Sequence, residues 1–226
     1  WTRLFAGNLG VEFPQLKVIS SVMRTVPFEA GFGTSTSGGG YAARKRLDGG
    51  YTIAHQNLAV VDIVPASFRL LFKFLPALLH DPVGLRFRVG RTFVTEASFP
   101  RRWRLDEETP FERVRVLDPR PVGRVLDDAM ARLERTFPVF KGVQIVERWA
   151  GAIDVTPDAV PVISPIEALP GFFIASGFSG HGFGIGPGAG RLMADLVLGR
   201  PPIVDPAPFR YRRLIDGTKP ELIAGF

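Results

Sequence analysis

The chain has 226 residues, 46% of them hydrophobic and 22% charged, which is enough apolar material for a buried core in one large domain or two small ones. It contains no cysteine, and this excludes disulfides, thiolate metal sites, a cysteine nucleophile and a cysteinyl bond to a cofactor. The net charge of +6 is spread out; the densest cluster, Arg101, Arg102 and Arg104, is short and lacks a recognition-helix pattern, so nucleic acid is not an expected partner, although an anionic substrate would profit from a positive field.

No segment has the length and charge-free character of a transmembrane helix, because the most apolar stretch, Ala66 to Leu79, is short and carries Arg69, Lys73 and Pro76. No signal-peptide pattern opens the chain, and a cytoplasmic setting is expected. Trp1 is not a natural start, so the chain is expected to be part of a longer protein.

Lys17 to Pro27 reads as a strand, rich in β-branched residues and stopped by a proline. Gly31 to Gly40, GFGTSTSGGG, reads as a loop. Tyr41 to Arg46 and Gly50 to His55 form a predicted hairpin, because Asp48-Gly49 between them tolerates positive φ. Phe68, Leu71, Leu75 and Leu79 recur at helical spacing, predicting a helix over Ala66 to His80 that is interrupted near Pro76. Arg88 to Glu96 and Phe111 to Val116 are predicted strands. Val122 to Phe137 is the clearest helix, with Val122, Leu126, Met130, Leu133 and Phe137 on one face and Pro119 and Pro138 bracketing it. Val143 to Ala152, Ala159 to Ile163 and Gly171 to Ala175 are predicted strands. A glycine-rich turn and a helix from about Pro187 to Leu198 follow, then a tail rich in proline and arginine that is expected to pack along a surface. Many strands with few helices predict an α+β fold with a mixed or antiparallel sheet flanked by helices.

The stretch with most chemical content is Gly171 to Gly199, GFFIASGFSGHGFGIGPGAGRLMADLVLG: a buried strand, a glycine-rich loop and a helix. Glycines permit positive φ and let backbone N–H groups approach a ligand, and a helix N-terminus adds partial positive charge. Such a place suits a phosphate, a carboxylate or the edge of a ring that becomes anionic; tight packing alone would also explain the glycines. A dinucleotide fingerprint requires G-x-G-x-x-G, which no window satisfies. A hydrolase nucleophile elbow requires G-x-S-x-G, and His181 stands where its last glycine belongs after Ser179. The three histidines show no metal-ligand spacing, and no metal is expected.

The segment Glu147 to Ser164, ERWAGAIDVTPDAVPVIS, followed by ASGFSGHGFGIGPGAGRLMADLV, resembles the C-terminal signature of the D-amino-acid oxidase superfamily, in the branch of sarcosine oxidase β-subunits, glycine oxidases and D-amino-acid dehydrogenases. The elements carrying it are Trp149-Ala150-Gly151, Thr156-Pro157-Asp158, Pro161 to Ile163, and Gly177 to Gly182. Upstream the likeness is looser and rests on the strand–turn–strand order of Tyr41 to His55. The resemblance implies an FAD enzyme that oxidises the C–N bond of an amino acid or secondary amine by hydride transfer to flavin N5. It implies a substrate, or roof, domain over residues 1–145 and a C-terminal segment of the FAD-binding domain over 146–226, with the N-terminal Rossmann half supplied by the missing part of the protein or another subunit. A fragment of this kind is expected to be inactive alone and to hold FAD weakly. The alternative is a non-catalytic fragment that binds a partner chain. The resemblance puts Gly151, Gly177, Ser179, Gly180, His181, Gly182, Phe183 and Gly184 at the flavin edge, with Gly180 and Gly182 expected at positive φ, and His55, Tyr51 and Tyr41 on the substrate side; exposed strand positions are the preferred explanation of the tyrosines from the residues alone, and a structural role that of His55. Two departures stand out: Ile153 and then Asp154 occupy the place where several relatives carry a carboxylate-gripping arginine, and Gly184 stands where another branch has a lysine.

Overall fold

A computed structural model describes residues 1–56, 58–80, 84–104 and 106–218. After α1 (Thr2–Asn8), β1 (Leu16–Thr25) runs through the middle of a sheet that has seven strands among the described residues. Along one edge of β1 lies β7 (Ile145–Val155), antiparallel over the full length, with Ile19 opposite Ala152 and Val22 opposite Trp149. The other edge is shared: the C-terminal half of β1 pairs with β4 (Tyr51–Ala54) and the N-terminal half with β5 (Ala59–Asp62), both antiparallel. Beyond β4 lie β3 (Tyr41–Lys45) and then β2 (Ser35–Gly38); beyond β5 lies β6 (Leu85–Arg88), in the sheet's parallel pairing. The β3–β4 hairpin closes as the Asp48-Gly49 signal predicts, with Gly49 at φ 84° and Asp48 Oδ1 accepting the Gly50 N–H.

One face of the sheet is covered by α6 (Gly123–Thr136). Its Leu126 and Leu133 enter a core with Met23, Tyr41, Tyr51, Ile53 and Phe140. The alternation along β1 follows from this cover: Ile19, Ser21 and Met23 are buried, whereas Ser20, Val22 and Arg24 are only half-buried. β8 (Val162–Pro165) and β9 (Phe173–Ser176) form a separate antiparallel hairpin, against which α7 (Gly182–Val197) packs Ala189 and Leu192. Packing crosses the expected boundary at residues 145 and 146. Ala6 and Phe13 share a core with Val162, Ile174 and Tyr211, while β7 is hydrogen-bonded into the large sheet.

Four local expectations are corrected. Within Gly31 to Gly40, β2 is a strand, although its Ser-Thr-Ser-Gly sequence has no apolar alternation; its order comes from pairing with β3. The Arg88 to Glu96 strand is replaced by β6, ending at Arg88, and α4 (Arg91–Ser98). In place of a strand over Phe111 to Val116 there is a short helix, α5 (Pro110–Arg113), started by Thr109, whose N–H donates to Glu112 Oε2 at 2.6 Å. The Ala66 to His80 helix breaks at Leu70, between α2 (Pro65–Arg69) and α3 (Leu71–His80), and α3 runs through Pro76. Similarly, α7 begins at Gly182 and contains Pro187. Each proline is the sixth residue of its helix, beyond the first turn, and there forfeits one main-chain hydrogen bond that the rest of the helix tolerates. The tail packs as expected through Phe209, Tyr211, Arg213 and Leu214; residues 219–226 lie outside the described residues. No described helix is long and apolar enough to cross a membrane.

Candidate functional site

The β9–α7 connection is a tight arc. Gly177, Ser179 and Gly180 take φ of 81°, 51° and 87°, so three of four consecutive residues are left-handed. At Gly177 the glycine is obligatory, because a Cβ would stand 2.4 Å from Cγ2 of the fully buried Thr156. Thr156 is itself fixed by its hydroxyl, which donates to the Val160 carbonyl at 2.8 Å. Ser179 is a non-glycine residue in a strained conformation, held by its N–H donating to the Asp154 carbonyl at 3.0 Å and its hydroxyl donating to the Gly177 carbonyl at 3.2 Å. Positive φ holds at Gly180 but not at Gly182: Gly182 is the first residue of α7, and its compactness serves contact with Phe178, whose Cβ would lie 3.3 Å from an added methyl.

His181 caps α7, and its N–H donates to the Phe178 carbonyl at 2.8 Å. Among the described residues the N–H groups of Gly180, Gly182 and Phe183 make no hydrogen bond to protein. Phe183 is fully exposed and open space surrounds Gly184. The arc therefore presents a row of uncommitted donors at the positive end of a sixteen-residue helix. Gly151 lies on β7 opposite Ser20, also beside open space, and Ile153 two residues on packs beneath Gly180.

The other expected residues lie elsewhere. Tyr41 and Tyr51 are buried in the core beneath α6, and the Tyr51 hydroxyl donates to the Phe32 carbonyl at 2.9 Å and accepts the Ala30 N–H at 3.3 Å. Both act as core residues because they alternate with Ala42 and Thr52 onto the α6 side of the sheet. His55 follows β4, its side chain largely buried, with Nε2 3.1 Å from Asp128 Oδ2 on α6. The Arg132 guanidinium bonds the same oxygen at 2.6 Å and holds the Asp128 carboxyl below its usual range, an effect that His55 reinforces and partial burial opposes.

Residues not singled out as site residues converge on the arc. Asp154 Oδ2 accepts the Gly177 N–H at 2.6 Å, Gln15 Nε2 at 2.8 Å and the Ser176 hydroxyl at 3.2 Å. Thr2 and Ser176 share a hydroxyl–hydroxyl bond of 2.9 Å. The available signal was an aspartate that follows the apolar run Trp149 to Ile153 and directly precedes the Thr156-Pro157-Asp158 motif. Gln15 also borders a cavity of about 310 Å³ walled by apolar side chains such as Leu4, Ile19 and Val61. The cavity's polar wall is Glu96, bonded by Arg3 at 3.2 Å and in ionic contact with Lys17 at 2.5 Å; burial depresses the Arg3 guanidinium below its ordinary value while Glu96 opposes the effect. The described residues contain no group of three or more His, Asp or Glu side chains arranged to hold a metal ion.

A sheet roofed on one side by a helix, joined to a hairpin, glycine arc and helix, is the architecture of one flavoprotein class, and comparison with known proteins identifies it. Residues 1–196 match the family described as FAD dependent oxidoreductase, the D-amino-acid oxidase family, and the chain belongs to it. The chain is 33% identical over 92 residues to glycine oxidase of Pseudomonas aeruginosa, covering 41% of this chain and 25% of that protein. It is also 33% identical over 95 residues to the sarcosine oxidase subunit beta of an Arthrobacter species, covering 41% of this chain and 23% of the relative. Among solved structures, L-amino acid deaminase from Proteus myxofaciens, in complex with anthranilate, superposes with a TM-score of 0.88 at 34% identity, over 97% of this chain and 48% of that one. The chain thus corresponds to about half or less of the relatives it matches.

Proposed function

We propose that this chain supplies the substrate-side sheet and the flavin-edge arc of an FAD-dependent enzyme that oxidises the C–N bond of an amino acid or secondary amine. The observation that carries the reading is the set of uncommitted N–H groups at Gly180, Gly182 and Phe183, on a left-handed arc at the N-terminus of α7. These residues suit a flavin: an added Cβ is excluded at Gly177, the space beside Gly184 is open, and the donors are backbone groups that titrate at no working pH. When bound, FAD would supply the acceptor for a hydride leaving the carbon that bears nitrogen. The task of this chain's own residues is electrostatic. N–H groups fixed before the reaction and a helix dipole stabilise negative charge arriving at the ring edge without reorganising. With the hydride lost from carbon and a proton lost from nitrogen to solvent, the substrate would become an imine, which water hydrolyses to a carbonyl compound and the free amine. Ile153 forms the floor beneath Gly180, and Gly151, beside open space on β7, belongs to the flavin-edge side in this reading; His181 contributes through its backbone position.

In the absence of a G-x-G-x-x-G fingerprint, the isolated 226-residue chain is expected to retain FAD weakly or not at all after gel filtration. The decisive measurement uses the complete protein and anaerobic stopped-flow bleaching of the flavin band with amino acids and N-methyl amino acids. Gly182→Val, which crowds Phe178 and displaces donors, is expected to lower flavin occupancy and slow reduction about a hundredfold, with Ser179→Ala doing much less. A complete protein that carries no flavin, or whose flavin no amine bleaches, overturns the reading. Loss of reduction in Ser179→Ala with Gly182→Val unaffected overturns the backbone-donor account.

A further inference from the structure

The geometry points to Asp154 as the positioning residue of the glycine arc, a role that rests on the flavin-edge reading above. Asp154 is the penultimate residue of β7, paired across the sheet with Lys17, and so belongs to the most extensively hydrogen-bonded part of the molecule. From that fixed point it reaches the arc twice. Its carboxylate Oδ2 accepts the N–H of Gly177, the first left-handed residue, at 2.6 Å; its main-chain carbonyl accepts the N–H of Ser179, the strained one, at 3.0 Å. The next N–H groups along the chain, at Gly180, Gly182 and Phe183, are the uncommitted ones. Whatever sets the height of Gly177 and Ser179 over the sheet therefore sets where those donors point.

The carboxylate is itself immobilised. Buried Gln15 gives Oδ2 a second hydrogen bond, and its Nε2 also contacts the Ser176 hydroxyl at 3.0 Å, while Gln15 Oε1 accepts the Arg3 N–H at 3.3 Å. Three donors converge on one oxygen, and an anionic oxygen serves three better than a neutral one. A neutral asparagine keeps a carbonyl oxygen within reach of Gly177 and one further donor; alanine keeps none. Asp154→Asn should thus preserve most of what Asp154→Ala removes.

The test uses the complete flavoprotein, with FAD titration and amide exchange as readouts that need no turnover. Asp154→Ala is expected to raise the FAD dissociation constant about tenfold or more and to speed exchange at the Gly177 and Ser179 amides by a similar factor. Asp154→Asn is expected to restore both to within about threefold of wild type. Leu133→Ala, which opens the α6 core away from the arc, serves as the control: it should lower the thermal midpoint as much while leaving FAD affinity unchanged. FAD affinity unmoved by Asp154→Ala, or lost equally in Leu133→Ala, overturns the assignment. If Asp154→Ala does not fold, Asp154→Glu keeps the charge but displaces the oxygen by one methylene; weakened FAD binding at a native thermal midpoint then supports the role, and unchanged binding overturns it. A wild-type complete protein without FAD refutes the flavin-edge reading instead, and amide exchange in the variants still judges the anchoring.

Discussion

Gly177 and Gly184 are both glycines of the same motif, yet the structure requires only one of them to be glycine. Gly177 is left-handed and has Thr156 Cγ2 where a Cβ would go; Gly184 is helical and faces open space. Gly177→Ala is therefore expected to cost about 1–2 kcal/mol in backbone strain alone, before the clash is relieved. Gly184→Ala should gain roughly 0.5–1 kcal/mol from helix propensity. In thermal unfolding this separates the two variants in opposite directions, at about 2–4 °C per kcal/mol for a chain of this size. Equal midpoints would contradict the assigned geometry. Residue type made the arc legible in the sequence, since glycines and small polar residues between a strand and a helix announce a turn. It did not distinguish left-handed Gly180 from helical Gly182, because a glycine takes either conformation without leaving a mark. Nor did it separate the core tyrosines Tyr41 and Tyr51 from the half-buried face beside them, a matter decided by where α6 lies.

At the scale of elements, Asp62 at the end of β5 joins three of them. It accepts Arg88 Nε of β6 at 2.6 Å and the Thr92 hydroxyl of α4 at 2.9 Å. Burial pushes its carboxyl upward, but the bonds from Arg88 and Thr92 outweigh this and hold it below its usual value. A carboxyl depressed in the folded state adds stability above the unfolded-state value of about 3.9, and that stability disappears as pH falls through the lower folded value. Asp62→Asn should flatten the acid limb of the stability profile below about pH 4, as read from urea midpoints across pH; an unchanged limb would remove Asp62 from the account. This corner was also the least legible. RTFVTEAS in α4 has strand-like β-branched residues, and its helical state is secured by distant partners: Glu96 meets Arg3 and Lys17, and Thr92 meets Asp62. The β3–β4 hairpin and α6, by contrast, carry their instructions locally in Asp48-Gly49 and in a helical apolar stripe.

Across the whole molecule, the Thr156-Pro157-Asp158 motif acquires a structural role through the tail. Arg213 Nε lies 2.7 Å from Asp158 Oδ2, both side chains are buried, and the guanidinium also caps the carbonyls of Val160 and Arg210. Tyr211 adds a 2.6 Å bond from its hydroxyl to the Glu12 carbonyl. Arg213→Met strands a buried carboxylate and is expected to cost about 3–5 kcal/mol; adding Asp158→Asn should recover part of that loss in urea denaturation, and a purely additive double variant would count against a buried pair. This clasp could not be read from the sequence, since the two residues lie 55 positions apart and the Thr156-Pro157-Asp158 motif carries no mark of its distant partner. The family signature from Glu147 to Gly199 was legible because its spacing is kept intact, and the expected α+β architecture was legible separately, from many predicted strands with few helices. The central pairing of β1 with β7 sets a different requirement, on how the chain reaches its fold. Leu16 meets Val155, so the sheet's longest ladder must close a loop running through almost every other strand. Loop-closure entropy must be met before that pairing returns any stabilisation. Local units such as the β3–β4 hairpin have no such delay. During synthesis β1 emerges long before β7 exists, and until then it presents an unsatisfied edge, with half-buried Val22 on its face, to whatever else is nearby.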